Sequence, residues 1–325
     1  MSPLVTNGLM GLSVILGVLV FTAAALWIER KIAARMQTRL GPTMVGPAGL
    51  LQPVADVIKL LQKEDIVPDK ADRALYSLSP VIAAIAAIAV AAVVPFAAGW
   101  VGADIDIGVI FILAIGAVSV LPVIGAGWAS NNKFALLGGM RAVAQSVSYE
   151  VPLVLSALVP VILAGSMKVS DIVSYQAQHQ WMVVWPFFLT IPAFLIFLIA
   201  MLAEANRIPF DIPEAESELV AGITTEYSGM YFGFFYMAEY IHTIVASTVA
   251  AALFLGGWSG PFVPGAHWMI LKSLALFLFI YWLRWSLLRF RSDQLLRLCW
   301  QVLVPVGVLL VAAAAVYVNA VPGAR

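Results

Sequence analysis

The feature that most constrains this chain is a series of uncharged segments, each of about twenty mostly apolar residues. As an α-helix, a segment of roughly that length crosses the ~30 Å hydrocarbon core of a bilayer. Of the 325 residues, 62% are hydrophobic and 11% are charged, whereas soluble proteins average about 45–50% and about 25%. The sequence therefore excludes an ordinary soluble protein and predicts an all-α integral membrane protein.

Hydropathy predicts a bundle of eight transmembrane helices. The predicted spans are 8–28, 76–98, 107–129, 142–165, 183–204, 235–257, 268–288 and 299–319. The first segment lacks the basic region and cleavage site of a signal peptide, so we expect it to remain as a span. No internal repeat or soluble domain is evident, and residues 1–325 are expected to form a single polytopic membrane domain.

The basic residues are distributed unevenly between the two sides of this predicted bundle. Fifteen of the 18 Lys and Arg residues lie on one side, and the other three are Lys168, Lys272 and Arg325. By the positive-inside rule, the basic side faces the cytoplasm and both termini face the opposite side. The formal net charge is zero, so bulk charge indicates no nucleic-acid partner.

The connection after the first span contains a predicted amphipathic helix. Its apolar and polar residues separate into two faces: Leu50, Val54, Ile58 and Leu61 on one, and Gln52, Asp56, Lys59 and Lys63 away from it. The segment is too short and too polar to cross a bilayer, so we expect it to lie in the membrane interface. A helix that merely orients the bundle on the lipid surface is the alternative to a functional role.

A basic stripe precedes this segment. Lys31, Arg35 and Arg39 recur every four residues, so a continuation of the first helix would align all three on one face. Gly41 and Pro42 then end any helix. Binding of lipid headgroups is the simplest alternative role for this stripe.

The long connection between spans five and six is strongly acidic. From residue 204 to residue 239 the sole cation is Arg207, and the seven carboxylates are Glu204, Asp211, Glu214, Glu216, Glu218, Glu226 and Glu239. Repulsion among Glu214, Glu216 and Glu218 is expected to raise some of their pKa values. Interspersed apolar residues predict that this cytoplasmic loop packs against protein. The alternatives are a solvated loop or a docking surface for a basic partner.

Two carboxylates, Glu150 and Glu239, are predicted to lie at membrane depth. A charged side chain there costs about 2.5 kcal/mol or more, and such residues usually relay protons or form pairs. His242 follows Glu239 on the same helical face, so a structural Glu239–His242 pair is the alternative. His242 alone is interpreted as a packed core histidine.

Other residues of the spans receive simpler interpretations. Lys272 and Arg284 lie near opposite ends of span seven, where their side chains are expected to extend to the interfaces without a chemical role. Phe232 and Tyr236 belong to an aromatic cluster that lines a cavity for an apolar ligand or forms part of an interfacial aromatic belt.

Cysteine and histidine usage argues against a redox centre in this chain. Cys299 is the one cysteine, and the three histidines are far apart in the sequence. One thiol makes no internal disulfide and holds no iron–sulfur cluster, and scattered histidines do not suggest a haem. We expect no metal site and no cofactor bound by this chain alone.

Several motifs, read together, resemble one family. They are Glu29-Arg30-Lys31, Gly49–Pro53, Ser148–Val151, Asn206-Arg207 with Pro209–Asp211, Glu214–Val220, Glu226–Met230 and Asp293–Leu295. In these motifs the chain resembles the H subunits, the quinone-site membrane subunits of respiratory complex I, which is the proton-pumping NADH:quinone oxidoreductase. Thr43, Ser292 and Gln301 depart from the family pattern and affect only the details of nearby contacts.

The resemblance implies a quinone-reducing complex in which this chain supplies no electron carrier. Two peripheral-arm subunits and this chain would enclose a quinone chamber, and the iron–sulfur clusters and FMN would reside on partner subunits. Other membrane-arm subunits would be further partners. The first span, the interfacial helix and spans six and seven would frame the entrance for the isoprenoid tail. The implied location is the bacterial cytoplasmic (inner) membrane, with both termini periplasmic.

The resemblance also implies roles for individual residues, none of them catalytic. Those implied near the chamber and its entrance are Arg30, Arg39, Asp56, Phe232 and Tyr236. Those implied in a proton path toward the pumping subunits are Glu150, Glu204, Asp211, Glu214, Glu216, Glu218 and Glu239.

Two other functions remain as alternatives. A membrane subunit of a proton-reducing hydrogenase shares this bundle, but the intact motifs at 214–219 and 226–230 favour the quinone enzyme. An autonomous secondary transporter would be expected to show broken spans at matching positions of two repeats, and the sequence shows no repeat.

Overall fold

The computed structural model describes residues 3–213, 216–261 and 263–320. Within these residues the chain is mostly helical and forms no strand beyond one isolated bridge between Ala97 and Trp100. Eight helical segments in the described ranges are long and apolar enough to cross a membrane. The predicted class, an all-α protein with eight spans, is confirmed.

The helices, numbered along the chain, include several that do not span. They are α1 (Pro3–Met36), α2 (Gln52–Gln62), α3 (Arg73–Ala91), α4 (Gly108–Val118), α5 (Val120–Ala129), α6 (Lys133–Ala164), α7 (Val169–Gln178), α8 (Phe187–Glu204), α9 (Glu216–Leu219), α10 (Gly229–Phe254), α11 (Ala266–Ser286), α12 (Ser292–Arg297) and α13 (Val304–Ala320). The spans are α1, α3, α4 with α5, α6, α8, α10, α11 and α12 with α13. Helix α7 was not predicted.

Several spans extend further than predicted at the end of the bundle that carries α2, called here the α2 end. Helix α1 continues to Met36, α6 begins at residue 133, and α10 begins at residue 229. Hydropathy marks only the apolar part of a helix, whereas polar groups at the termini prolong it. The Asn132 side chain accepts a hydrogen bond from the backbone N–H of Phe134 (2.8 Å), and a polar side chain at this position stabilises a helix start.

The longer α6 changes the expected depth of Glu150. The predicted span put this residue about 12 Å from the helix start, whereas seventeen residues separate it from Lys133, or about 25 Å at 1.5 Å per residue. Glu150 therefore lies near the middle of α6.

The predicted amphipathic helix is present as α2. One side of α2 contacts α1 and α10. Leu50, Val54, Ile58 and Leu61, just before and along α2, are each at least 50% exposed. No described part of the chain covers this apolar face, as expected of a helix that lies against lipid.

Helix α1 ends before the basic stripe is complete. Thr38 has a positive φ of 53°, and Arg39 follows the helix rather than continuing it. The Arg39 Nε donates a hydrogen bond to the Gln37 side chain (2.7 Å). A single helical face with Lys31, Arg35 and Arg39 is therefore not formed.

Helix α10 is the centre of the bundle and contacts α1, α3, α8 and α11. Ile241, Ala250, Ala251 and Phe254 along it are fully buried. At its start, Asp65 accepts a hydrogen bond from the backbone N–H of Met230 (2.8 Å), and a negative group at a helix N-terminus is favourable. Because other helices surround α10, its polar side chains face protein.

The acidic connection between α8 and α10 packs into the bundle, as its apolar residues predicted. Phe210, Ile212, Leu219, Ile223 and Tyr227 are buried, each at most 6% exposed. Glu214 lies outside the described residues, as does the side chain of Glu216. The interpretation as a freely solvated loop is therefore wrong for the described part of this connection.

Candidate functional site

A buried salt bridge joins the acidic connection to α10. Arg207, 1% exposed, places its Nη1 2.9 Å from Oε1 of Glu239. The guanidinium carbon also lies 4.4 Å from the ring centre of Tyr240 and 5.4 Å from that of Tyr281. Arg207 is therefore the charged partner of Glu239, and the alternative of a Glu239–His242 pair is wrong in this structure.

A second pair lies beside the first and links the first and seventh spans. Arg284 donates from Nη1 to Glu29, and the hydroxyl of Tyr240 donates to the other oxygen of the same carboxylate. Glu29 is 5% exposed. These residues with the first pair form the charge cluster, defined as Glu29, Arg207, Glu239, Tyr240 and Arg284.

In the connection between α8 and α10, burial and neighbouring charges shift the pKa values of ionisable side chains in opposite directions. Burial lowers the pKa of Arg207, but Glu239 and neighbouring groups more than offset it, so the net pKa is raised and Arg207 stays charged. Burial raises the pKa of Asp211, and Arg289 and Arg284 offset this only in part. Arg289 Nη2 lies 3.2 Å from Asp211, so this pair extends the row of charges beyond the charge cluster.

Four of the five residues predicted at the chamber lie around the charge cluster. Arg30 forms a salt bridge with Asp56 of α2 (2.5 Å). Phe232 stacks on Tyr236 (ring centres 5.9 Å apart), and the Tyr236 hydroxyl lies 3.0 Å from that of Tyr240. Arg39, in contrast, is exposed and bonds only locally, so the structure does not bring it to the cluster.

Two of the predicted proton-path residues lie away from these pairs, in the middle of the bundle. Glu204 ends α8, and its Oε1 lies so close to Gly116 that a β-carbon there would be 2.5 Å from it. Glu150 is near enough to interact with Glu204 electrostatically. Neither side chain has a hydrogen bond or ion pair with another residue in the described ranges.

Glu218 lies at the surface of the α2 end. Its Oε2 is 2.5 Å from Nη1 of Arg141, and the two side chains are 53% and 36% exposed. A hydrogen bond and the charge of Arg141 lower the pKa of Glu218. Glu218 is therefore not one of the residues whose pKa repulsion raises, because α6 supplies a cation that the local sequence does not show.

The sequence interpretation missed the inward orientation of two cations of span seven, Arg284 and Lys272. Arg284 turns inward to Glu29 and does not extend to the interface. Lys272 is also buried: its Nζ donates to the carbonyl oxygens of Leu255 (2.6 Å), Gly257 (3.0 Å) and Ser259 (2.6 Å). A cation inside a predicted span was the available signal, since such residues usually face the protein interior.

The described residues include no group of three or more His, Cys, Asp or Glu side chains placed to hold a metal ion. Cys299 is a buried free thiol. The fold and the site together define a multi-pass membrane protein with charged residues inside its bundle.

The family model described as NADH dehydrogenase matches residues 9–315. The chain is 48% identical over 304 residues to the H subunit of NADH-quinone oxidoreductase from Geobacillus kaustophilus, covering 92% of this chain and 90% of the relative. It is 47% identical over 311 residues to the H subunit of the same enzyme from Rhodospirillum rubrum, covering 93% and 91%. The chain belongs to the NADH dehydrogenase family. The predicted resemblance is thereby confirmed, and it supports a membrane subunit of that oxidoreductase complex over the hydrogenase and transporter alternatives.

Proposed function

We propose that this chain forms one wall of a quinone chamber and couples quinone reduction to proton translocation through its carboxylates. The observation that carries the proposal is the buried charge cluster between α1, α10 and α11, with α2 beside it. Quinone is the substrate, and electrons arrive from iron–sulfur clusters and FMN on partner subunits. Peripheral-arm subunits complete the chamber. The carboxylate path leads from it toward other membrane-arm subunits. The chain acts as a single membrane domain.

The residues around the charge cluster suit the two parts of a quinone. The headgroup carries carbonyl oxygens that accept hydrogen bonds, and the guanidinium group of Arg30 has N–H donors beyond the one that faces Asp56. The tail is hydrocarbon, and the exposed apolar face of α2 lies where the bundle meets lipid. A binding site with few polar groups beside a large apolar surface is typical of such ligands.

Reduction of a quinone to a quinol takes up two electrons and two protons, so charge arrives at the chamber before protons balance it. In a medium of low dielectric constant, added negative charge attracts protons to neighbouring carboxylates over several ångströms. Glu239 belongs to the charge cluster, Asp211 lies beside it, and Glu204 and Glu150 lie further into the bundle. We propose that Glu214, Glu216 and Glu218 of the acidic connection link the chamber to these residues.

Isosteric substitutions test the path. In the assembled complex in proteoliposomes, Glu204→Gln, Glu150→Gln and Glu216→Gln are each expected to lower the number of protons translocated per quinone reduced, by about tenfold or more, since an amide does not ionise. The measurements are quinone reduction and proton uptake, normalised to assembled complex. Glu226→Gln is the matched control, because Glu226 accepts a hydrogen bond from the Asn132 side chain and lies outside the proposed path. Full translocation in all three variants would contradict the proton path.

We also propose that the α2 end faces the bacterial cytoplasm, with both termini in the periplasm. Fifteen of 18 basic residues support this orientation. Lys70→Cys and Gln180→Cys place thiols at exposed positions at opposite ends of the bundle, and the native Cys299 is buried. In intact cells an impermeant maleimide is expected to label position 180 and not position 70; the reverse pattern would invert the topology.

A further inference from the structure

His242 lies on α10, thirteen residues after Gly229, or about 20 Å along the helix. Its side chain has no hydrogen bond or ion pair with any other residue in the described part of the chain. Glu239, its neighbour on the helix, is bound instead to Arg207. The imidazole therefore has two nitrogens that no described protein group satisfies.

Glu204 faces the same space as His242. The two side chains line one cavity of about 30 Å³ between α3, α4, α6, α8 and α10, and every other lining residue is apolar. Gly116 leaves room for the carboxylate, since a β-carbon at that position would press against its Oε1. Two ionisable side chains from different helices thus converge on one small apolar cavity.

Leaving these groups without partners would be costly. A buried polar group with no hydrogen bond costs about 1–3 kcal/mol, and a cavity needs roughly 10–15 Å³ of this kind of volume for one water molecule. The cavity has room for about two. Water there would bond to the carboxyl group on one side and to the imidazole on the other.

We propose that Glu204 and His242 hold water between them and that His242 is a further proton-carrying residue, to which Glu204 passes its proton through this water. The inference rests on the proposed proton path and extends it from α8 to α10. The protonated carboxyl group gives its proton to water while the water gives a proton to an imidazole nitrogen. The water is unchanged, a carboxylate and an imidazolium result, and the cavity keeps zero net charge.

The test uses three variants of the assembled complex in proteoliposomes. His242→Leu removes both nitrogens. His242→Gln keeps hydrogen-bonding groups but takes up no proton near neutral pH. Ala246→Val fills part of the cavity wall without changing an ionisable group. Each is expected to lower the protons translocated per quinone reduced by about threefold or more. Thr248→Val is the matched control, because Thr248 lies six residues after His242 on α10 and does not line this cavity.

The outcomes separate the inference from the proposed function. If Glu204→Gln lowers the proton ratio while His242→Gln keeps it at the parent value in a normally assembled complex, His242 is not a proton carrier. If Glu204→Gln itself leaves the ratio unchanged, the proton path fails at Glu204. Loss of the ratio in both, with melting temperatures that match the Thr248→Val control, supports the transfer and excludes a merely structural role of the imidazole.

Discussion

The bundle holds two groups of buried or partly buried ionisable residues with opposite arrangements. In the charge cluster, Arg207 faces Glu239 and Arg284 faces Glu29. In the central group, defined as Glu150, Glu204 and His242, no described residue supplies a charged partner. Burial alone therefore does not predict what an ionisable residue does in this protein.

The difference lies in what each arrangement fixes. A buried pair keeps both members charged, and its geometry is maintained because separating the members leaves an uncompensated charge. A group without a charged partner has no fixed neighbouring charge that favours one protonation state. Its protonation therefore responds to charge that arrives nearby. We infer that the charge cluster maintains the shape and polarity of the chamber, with Glu239 as its one link to the proposed proton path, and that the central group exchanges protons.

The strongest test of this contrast removes one member of a pair. Arg207→Met deletes the cation that faces Glu239 and the contact with the ring of Tyr240. Removing one partner of a buried pair costs about 3–5 kcal/mol, so the variant is expected to assemble poorly and to melt at a clearly lower temperature in detergent. The measurements are the yield of assembled complex and its thermal unfolding.

Glu204→Gln is the matched substitution in the central group. It removes a group that has no described partner, so the free energy of unfolding is expected to change by less than about 1 kcal/mol or to rise. Arg207→Lys keeps the charge but loses the planar guanidinium, and an intermediate loss is expected. Equal stability of Arg207→Met and the parent protein would remove the distinction between the two groups.

The sequence predicted the segments of this fold better than the contacts between them. Hydropathy finds a span because twenty apolar residues suffice, but it does not show which span faces which. Glu29 and Arg284 are 255 positions apart, and Glu29 lies one residue beyond the predicted end of the first span. Neither residue alone indicated the pair, and Arg284 was interpreted from its position near a span end.

Asp211 offers a test between the two arrangements, because it has a cation partner and yet a raised pKa. Its pKa lies above the ordinary value of 3.8, since burial outweighs Arg289 and Arg284. A raised pKa means that the folded protein holds this proton more tightly. The resulting stability is full below the ordinary pKa and is lost as pH rises through the raised value.

Asp211→Asn removes this dependence. The stability of the variant relative to the parent is therefore expected to increase from about pH 4 upward and then to become constant. Thermal unfolding of both proteins between about pH 4 and about pH 8 measures it. Asp72→Asn, which alters an exposed carboxylate at the start of α3, controls for general acid sensitivity. A relative stability that decreases with pH would place Asp211 with the fully paired residues.

The smallest effect is expected at Glu218 and Arg141, a pair at the surface rather than inside the bundle. Arg141 lowers the pKa of Glu218 from its ordinary value of 4.5. The pair therefore stabilises the folded state fully above pH 4.5, and this stabilisation is lost as the pH falls through the lowered pKa. Exposed pairs contribute about 0.2–1 kcal/mol. Salt screens them, since the Debye length falls from roughly 10 Å at 0.1 M to about 3 Å at 1 M.

A double-mutant cycle with Glu218→Gln and Arg141→Met isolates this pair. The coupling energy is expected to stay below about 1 kcal/mol and to decrease when the salt concentration is raised from about 0.1 M to about 1 M. The cycle is measured by thermal unfolding at neutral pH, beside an Arg207–Glu239 cycle in the same detergent. The buried pair is expected to keep its coupling in high salt, because neighbouring protein rather than solvent surrounds it. A large, salt-resistant coupling between Glu218 and Arg141 would mean that the acidic connection extends the charge cluster to the surface. Glu218 would then belong with the paired residues and not with those that exchange protons.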